Sequence, residues 1–303
     1  MSKIFIAGHT GLLGSAIYDK FKQFDIVTIS HKNLDLKDYE KLKKFIKENN
    51  VSYIINCAGV SGGIMKNKNY PADLFYENIA ITNNIFRTIV DCDIKKIINF
   101  SSSCIYPKNS LQPIKEEYLS KGEMEETSIG YSGAKLAGVL GTIAYNKQYN
   151  KKILTLIPNT IYGPKSHFDE NAHVLTALIK KFIDAKNNDT DVVLWGNGEV
   201  FREFIYVEDV ADAVLFAYKN FENIKEDYLN IGSGEEINIK QLAEIIKNKV
   251  GFKKEILWDT SKPNGVKRKL LDSSKFRGYG WKSIVSLEDG IQKTIKWYEA
   301  NER

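Results

Sequence analysis

Tyr131 and Lys135 are four residues apart in the sequence. On a helix this spacing puts both side chains on one face, one turn apart. A lysine ammonium beside a phenol favours the phenolate and lowers the phenol's pKa. Such a tyrosine can exchange a proton with a carbonyl or alcohol oxygen near neutral pH. The pair alone is a common surface pattern. Here it follows Gly8, Gly11 and Gly14 near the start of the chain, and a serine run, Ser101-Ser102-Ser103, that leads into Cys104. A serine hydroxyl at that point can hydrogen-bond the carbonyl oxygen that the tyrosine protonates.

A scaffold must bring these groups together. Lys3 to Ala7, Ile26 to Ile29, Tyr53 to Cys57, Ile97 to Phe100 and Ile153 to Ile157 read as strands, and helical stretches separate them. Apolar strands without alternation predict a parallel sheet covered on both faces. The alternation of strand and helix predicts an α/β fold with a doubly wound, Rossmann-type sheet. Gly8-x-x-Gly11-x-x-Gly14 lies between the first strand and a helix carrying Ile17, Phe21 and Phe24 on one face. Glycines let such a turn approach a pyrophosphate, and the helix N-terminus supplies N–H donors and positive dipole. Gly8, Thr10, Gly11, Leu12, Leu13 and Gly14 are therefore expected to contact a dinucleotide. The serines follow a strand at its carboxyl end, where ligands bind in such sheets. After Gly163-Pro164 the pattern changes. Helical Val174 to Phe182 and Ile239 to Val250 mix with short strands at Val192 to Trp195 and Glu255 to Trp258, and Leu287 to Tyr298 reads as a closing helix. The expected division is a mainly dinucleotide-binding domain over 1–163 and a mainly substrate-binding lobe over 164–303, with some later segments returning to the first domain.

The second strand should end near Ser30, where an adenosine ribose is read. Ser30-His31-Lys32-Asn33 has no acid until Asp35. Lys32 or protonated His31 could meet a 2′-phosphate, or both are solvated loop residues. NADP(H) is favoured as cofactor and NAD(H) stays open.

The chain has 303 residues, 43% of them hydrophobic and 27% charged, with net charge +5. That mild bias suits an anionic ligand such as a nucleotide and does not call for nucleic acid. No apolar run approaches the ~18 residues of a membrane span. The N-terminus reads as a strand rather than a signal peptide, which predicts a cytoplasmic protein. Cys57, Cys92 and Cys104 lack metal-ligand spacing and the four histidines do not cluster, so no metal is expected. Cys57 and Cys92 read as structural.

Several segments together make the resemblance specific. They are Ser-Ser-Cys-Ile-Tyr-Pro at 102–107, Tyr131-x-x-x-Lys135, Tyr162-Gly163-Pro164, His173 in Ala-His-Val-Leu-Thr-Ala-Leu, Arg202-Glu203-Phe204, Ser261 to Gly265 and Arg268 to Asp272. Over nearly its whole length the chain resembles the GDP-L-fucose synthases, which are extended short-chain dehydrogenase/reductases. The resemblance implies inversion at C3 and C5 of a GDP-4-keto-6-deoxy-mannose, followed by reduction at C4 with NADPH. It implies Cys104 as base, His173 as acid, Tyr131 as the reductive proton donor, Lys135 on the nicotinamide ribose and Ser102 on the carbonyl. It further implies cofactor contacts at Ser101, Ser102, Tyr131, Lys135, Pro158, Ile161 and His173. Substrate contacts follow at Ser103, Thr160, Lys181, Trp195, Arg202 and Asn264, and the assembly is expected to be a homodimer.

The chain departs from the family pattern at ligand positions. Thr10 and His31 stand where arginines are usual, Lys181 replaces another arginine, Asn264 replaces an acid, and the asparagine before Tyr162 is displaced to Asn159. A one-residue shift in an extended strand changes the face a side chain occupies. Two alternatives follow. One is a 4-ketoreductase without epimerase activity, needing only Ser102, Tyr131 and Lys135 and acting on a related sugar such as a GDP-4-keto-6-deoxy-heptose. The other is a non-catalytic dinucleotide sensor, which could dispense with the tyrosine and lysine. A 4,6-dehydratase would need an acidic pair after the fourth strand, where Ser102-Ser103-Cys104 has none, and a 4-epimerase would leave Cys104 and His173 without a role.

Overall fold

The computed structural model describes residues 3–169, 172–262 and 265–302. The first half contains β1 (Lys3–Ala7), α1 (Leu12–Phe21), β2 (Ile26–Val27), α2 (Tyr39–Glu48), β3 (Val51–Asn56), α3 (Ile64–Asn69), α4 (Pro71–Asp91), β4 (Lys96–Phe100), α5 (Ile129–Tyr149), β5 (Lys152–Pro158) and β6 (Thr160–Tyr162). The second half adds α6 (Val174–Asn188), β7 (Val192–Trp195), β8 (Phe201–Tyr206), α7 (Val207–Lys219), β9 (Tyr228–Ile231), β10 (Glu236–Asn238), α8 (Ile239–Val250), β11 (Ile256–Asp259), β12 (Arg268–Lys269), α9 (Ser274–Gly278) and α10 (Leu287–Asn301).

Six parallel strands form the main sheet in the order β2-β1-β3-β4-β5-β9. Their apolar residues alternate between two cores, as side chains on a strand must. Ile4 and Ile6 face α1 and α7 with Ile17, Phe21, Val210 and Val214. Phe5 and Ala7 face α2 and α4 with Leu42, Ile46, Ile81 and Ile85. Both faces are covered, so the strands can be apolar throughout. The strand order reverses between β1 and β3, which opens a crevice at their carboxyl ends.

A third core joins α6, α8 and α10 through Leu175, Ile179, Phe182, Leu242, Ile246, Ile291 and Ile295. Beside it, β8 pairs with β6, β10 and β12, and β7 pairs with β11. This assembly stands over the carboxyl ends of β4 and β5. Two local expectations are corrected. The β2 ladder stops at Val27 rather than Ile29, because β1 offers it partners only at Ile4 and Phe5. Phe24 lies beyond the end of α1, yet its ring still packs on Phe21 at 5.3 Å between centroids. Among the described residues no helix is long and apolar enough to cross a membrane.

Candidate active site

The glycine turn is built by close packing. Gly8 has φ +76°, and a Cβ there would lie 2.7 Å from the Ala58 backbone nitrogen. A Cβ on Gly14 would lie 2.0 Å from the Gly8 carbonyl oxygen. Only glycine lets β1, α1 and the end of β3 meet this closely. Gly11 caps α1 without a side-chain bond, and a Cβ there would meet nothing closer than 3.7 Å. The first N–H groups of a helix lack partners within it, so this open turn is a cradle suited to a pyrophosphate.

From the turn a cavity of about 660 Å³ runs across the sheet end. Thr10, Gly11, Leu12, Leu13 and Gly14 line it near α1; Ser101, Ser102, Ser103, Cys104, Tyr131, Lys135, Pro158, Thr160, Ile161 and His173 line it further on. Gly8 sits beneath, packed on Ala58. β4 and α5 set the central geometry: Ser101 Oγ donates to the Lys135 carbonyl at 3.0 Å, and Lys135 Nζ donates to the Phe100 carbonyl at 3.2 Å. Burial pushes the Lys135 ammonium down to about 8.

Tyr131 departs from the expected acidification. Burial drives its phenol pKa up, Cys104 adds to the rise, and a hydrogen bond with Ser102 opposes it. The Lys135 ammonium is 5.9 Å from the Tyr131 ring centroid and turned to a carbonyl. The phenol is therefore held protonated, as a proton donor must be.

Cys104 differs from the other cysteines. Burial raises the Cys57 thiol well above its ordinary value and raises that of Cys92. Burial also pushes Cys104 up, but the Lys269 charge, a Ser102 hydrogen bond and the Lys269 contact outweigh it, and its pKa falls below the ordinary thiol value. Lys269 Nζ is 3.5 Å from Sγ, and the Cys104 backbone N–H reaches Ser102 Oγ at 3.4 Å. His173 is the N-cap residue of α6. Its ring is exposed to the cavity but enclosed by protein around it. That enclosure lowers its pKa first, and repulsion from His167 and Lys269 adds to the effect.

Lys269, His167 and Glu125 line the same cavity; His167 matches no motif in the sequence, and Lys269 and Glu125 have no local signature. In the sequence Arg268 to Asp272 carries only the family resemblance. Lys269 is made relevant by the two-residue pairing of β12 with β8, which no local pattern announces. Other expected ligands stay outside the lining. His31 and Lys32 are exposed on the turn after β2. Lys181 donates to the Val193 carbonyl at 2.7 Å, and Trp195 is 65% exposed on β7. Arg202 is half-buried and donates to the Phe201 carbonyl at 2.7 Å. Asn264 lies outside the described residues. Asn159 is buried and Thr160 half-buried, and both belong to the cavity lining. Among the described residues, no group of three or more His, Cys, Asp or Glu could hold a metal ion.

Residues 4–232 match the NAD dependent epimerase/dehydratase family. GDP-L-fucose synthase 1 of Arabidopsis thaliana is 41% identical, covering 99% of this chain and 94% of that protein. The chain belongs to the GDP-L-fucose synthase family. Two solved structures resemble this family member closely. A GDP-6-OMe-4-keto-L-xylo-heptose reductase from C. jejuni superposes with a TM-score of 0.92 at 33% identity, over 99% of this chain and 98% of the other. A GDP-mannoheptose C4 reductase from Campylobacter jejuni with NADP bound gives 0.89 at 33% identity, over 98% of each chain.

Proposed function

We propose that this protein is an NADPH-dependent epimerase/reductase that converts a GDP-4-keto-6-deoxy-hexose by inverting C3 and C5 and reducing C4. The observation that carries the proposal is the convergence of Ser102, Cys104, Tyr131, Lys135 and His173 on one cavity beside the glycine turn.

The turn fits a dinucleotide, because Gly8 and Gly14 permit its close packing while Gly11 leaves it open before the first N–H groups of α1. Thr10 to Gly14 and the start of α1 would hold the pyrophosphate of NADPH and Lys135 its nicotinamide ribose, and the cofactor bound there would supply hydride for the C4 carbonyl. Ser102 hydrogen-bonds the C4 oxygen, and Tyr131 gives that oxygen its proton. Before reduction, the same ketone acidifies the hydrogens at C3 and C5. Cys104 Sγ, as thiolate, takes such a proton, and the His173 imidazolium returns one from the other side. A lowered imidazole pKa makes the protonated ring a readier donor. Each positioned acid or base is worth about 10²–10⁴-fold. Residues 1–163 mainly serve the dinucleotide and 164–303 mainly the sugar nucleotide, with β9 serving the first group.

The protein acts as a cytoplasmic homodimer on this reading. The neighbouring helices α4 and α5 expose Phe75, Tyr76, Val90, Leu140 and Tyr149, apolar surface that a second copy would cover. The likeness to two heptose reductases favours a second reading, C4 reduction alone on a related GDP-sugar. Loss of NADPH absorbance on adding GDP-4-keto-6-deoxy-mannose supports reduction at C4, and solvent deuterium at C3 and C5 of the product separates the first reading from the second. Tight NADPH binding without turnover of any GDP-4-keto sugar would leave only a dinucleotide sensor.

A further inference from the structure

Lys269 reaches the cavity from a strand of two residues, yet that strand is among the most tightly held segments at the site. Its backbone pairs with Arg202 on β8. Immediately after it, Leu270 N–H donates to Gln112 Oε1 at 2.9 Å and Leu271 N–H to Glu203 Oε2 at 3.0 Å. Ile114 N–H donates to the Leu270 carbonyl at 2.7 Å, and Asp272 N–H to the Ile114 carbonyl at 2.8 Å. A long, flexible side chain thus leaves a backbone with little freedom.

The displaced Asn159 joins this segment to the cysteine. Its Oδ1 accepts from Ser103 Oγ at 3.2 Å, beside Cys104 in the chain. Its Nδ2 donates to Glu203 Oε2 at 2.7 Å and to the Lys269 carbonyl at 3.2 Å. Glu203 is fully buried and also accepts from Gly234 N–H at 2.8 Å. One amide therefore spans from the residue preceding the thiol to the backbone of the lysine. Among the described residues, no carboxylate lies within ion-pair distance of Lys269, so the sulfur is the partner its ammonium has.

We propose that Lys269 is the counter-ion that holds Cys104 as a thiolate, and that Asn159 positions the two. The proposal rests on the reading of Cys104 as the epimerisation base. Both act through the cysteine and are positioning residues. The other groups facing Cys104 do not replace them. Glu125, from the segment before α5, opposes ionisation; Tyr131 on α5 is uncharged; Ser102 offers a hydrogen bond without charge. Lys269 also repels a proton from His173 across the cavity. One ammonium thus biases both partners of the inversion, the base toward its anion and the acid toward ready release of its proton.

The test is the pH dependence of Cys104 alkylation by iodoacetamide, read on the Cys104 peptide by mass spectrometry so that Cys57 and Cys92 do not contribute. Lys269→Met should raise the apparent thiol pKa by at least about one unit and slow alkylation at pH 7 about tenfold, since the thiolate is the nucleophile. Lys269→Arg should keep most of the reactivity, and Asn159→Ala should fall between. NADPH binding reports folding; should the methionine variant not bind it, Lys269→Gln serves in its place. An unchanged pKa in a neutral variant that binds NADPH overturns the proposal. A raised pKa in an enzyme that never exchanges sugar hydrogens with solvent supports the ion pair and overturns the base assignment instead.

Discussion

Lys135 is the residue whose removal should strengthen the fold while disabling the site. Its side chain is enclosed by β4, α5 and the loop after β3, and burial pulls its pKa from 10.5 to about 8. That drop, at about 1.4 kcal/mol per pKa unit, amounts to roughly 3 kcal/mol of cost in keeping the ammonium charged at neutral pH. Lys135→Met keeps most of the aliphatic stem and removes the charge. It also loses the bond to the Phe100 carbonyl, worth about 1–1.5 kcal/mol. The net expectation is a gain of about 2 kcal/mol in the cofactor-free protein. With an unfolding entropy of about 2.1 cal/mol/K per residue, this raises Tm by about 3 °C. Because the folded pKa lies below the unfolded one, the unfolded chain binds more protons between pH 8 and 10.5, and the wild type gains stability with pH across that window. The advantage of the variant should be full below pH 8 and gone above 10.5. Thermal unfolding followed by circular dichroism from pH 7 to 10 measures it. A variant no more stable than wild type at pH 7, or an advantage that does not shrink by pH 10, would refute the reasoning. NADPH-dependent reduction should be lost in the same variant at every pH.

Tyr131→Phe removes the proton donor and should lower kcat for reduction by about 10²–10⁴-fold, with NADPH affinity by fluorescence titration nearly unchanged. Gly14→Ala drives a Cβ to 2.0 Å from the Gly8 carbonyl oxygen and must displace the turn. It should weaken NADPH binding at least about tenfold, at about 1.4 kcal/mol per decade, while far-ultraviolet circular dichroism stays native. Wild-type NADPH affinity in that variant would mean the turn is not the pyrophosphate cradle.

The parts legible in the sequence are those governed by local rules. Apolar strands, a glycine turn and a Tyr-x-x-x-Lys spacing each carry their meaning over a few residues, and the sheet end gathers Ser102, Tyr131 and Lys135 as their positions imply. Cys104 and His173 needed the family motif, since neither has a local signature. The parts that escaped depend on pairing between distant segments. β12 exists because β8 and the Asn159–Glu203 network hold it, and Lys269 reaches Cys104 from a residue 165 positions away in the chain. The effect of moving asparagine by one place was legible as a change of face, but its new partners were not. The rise of the Tyr131 pKa is not legible in the sequence, because spacing cannot weigh burial against a lysine that turns to a backbone carbonyl.

The central claim is that one cavity inverts the sugar and then reduces it, and the fate of solvent hydrogen tests it most directly. Wild-type enzyme, NADPH and GDP-4-keto-6-deoxy-mannose are combined in D₂O, and the product is analysed by mass spectrometry and NMR. The account predicts deuterium at C3 and C5 of a C4-reduced product, and loss of that label, with reduction less affected, in Cys104→Ser. Reduced product carrying no deuterium at either carbon would contradict it and leave a 4-ketoreductase in which Cys104 and His173 only bind.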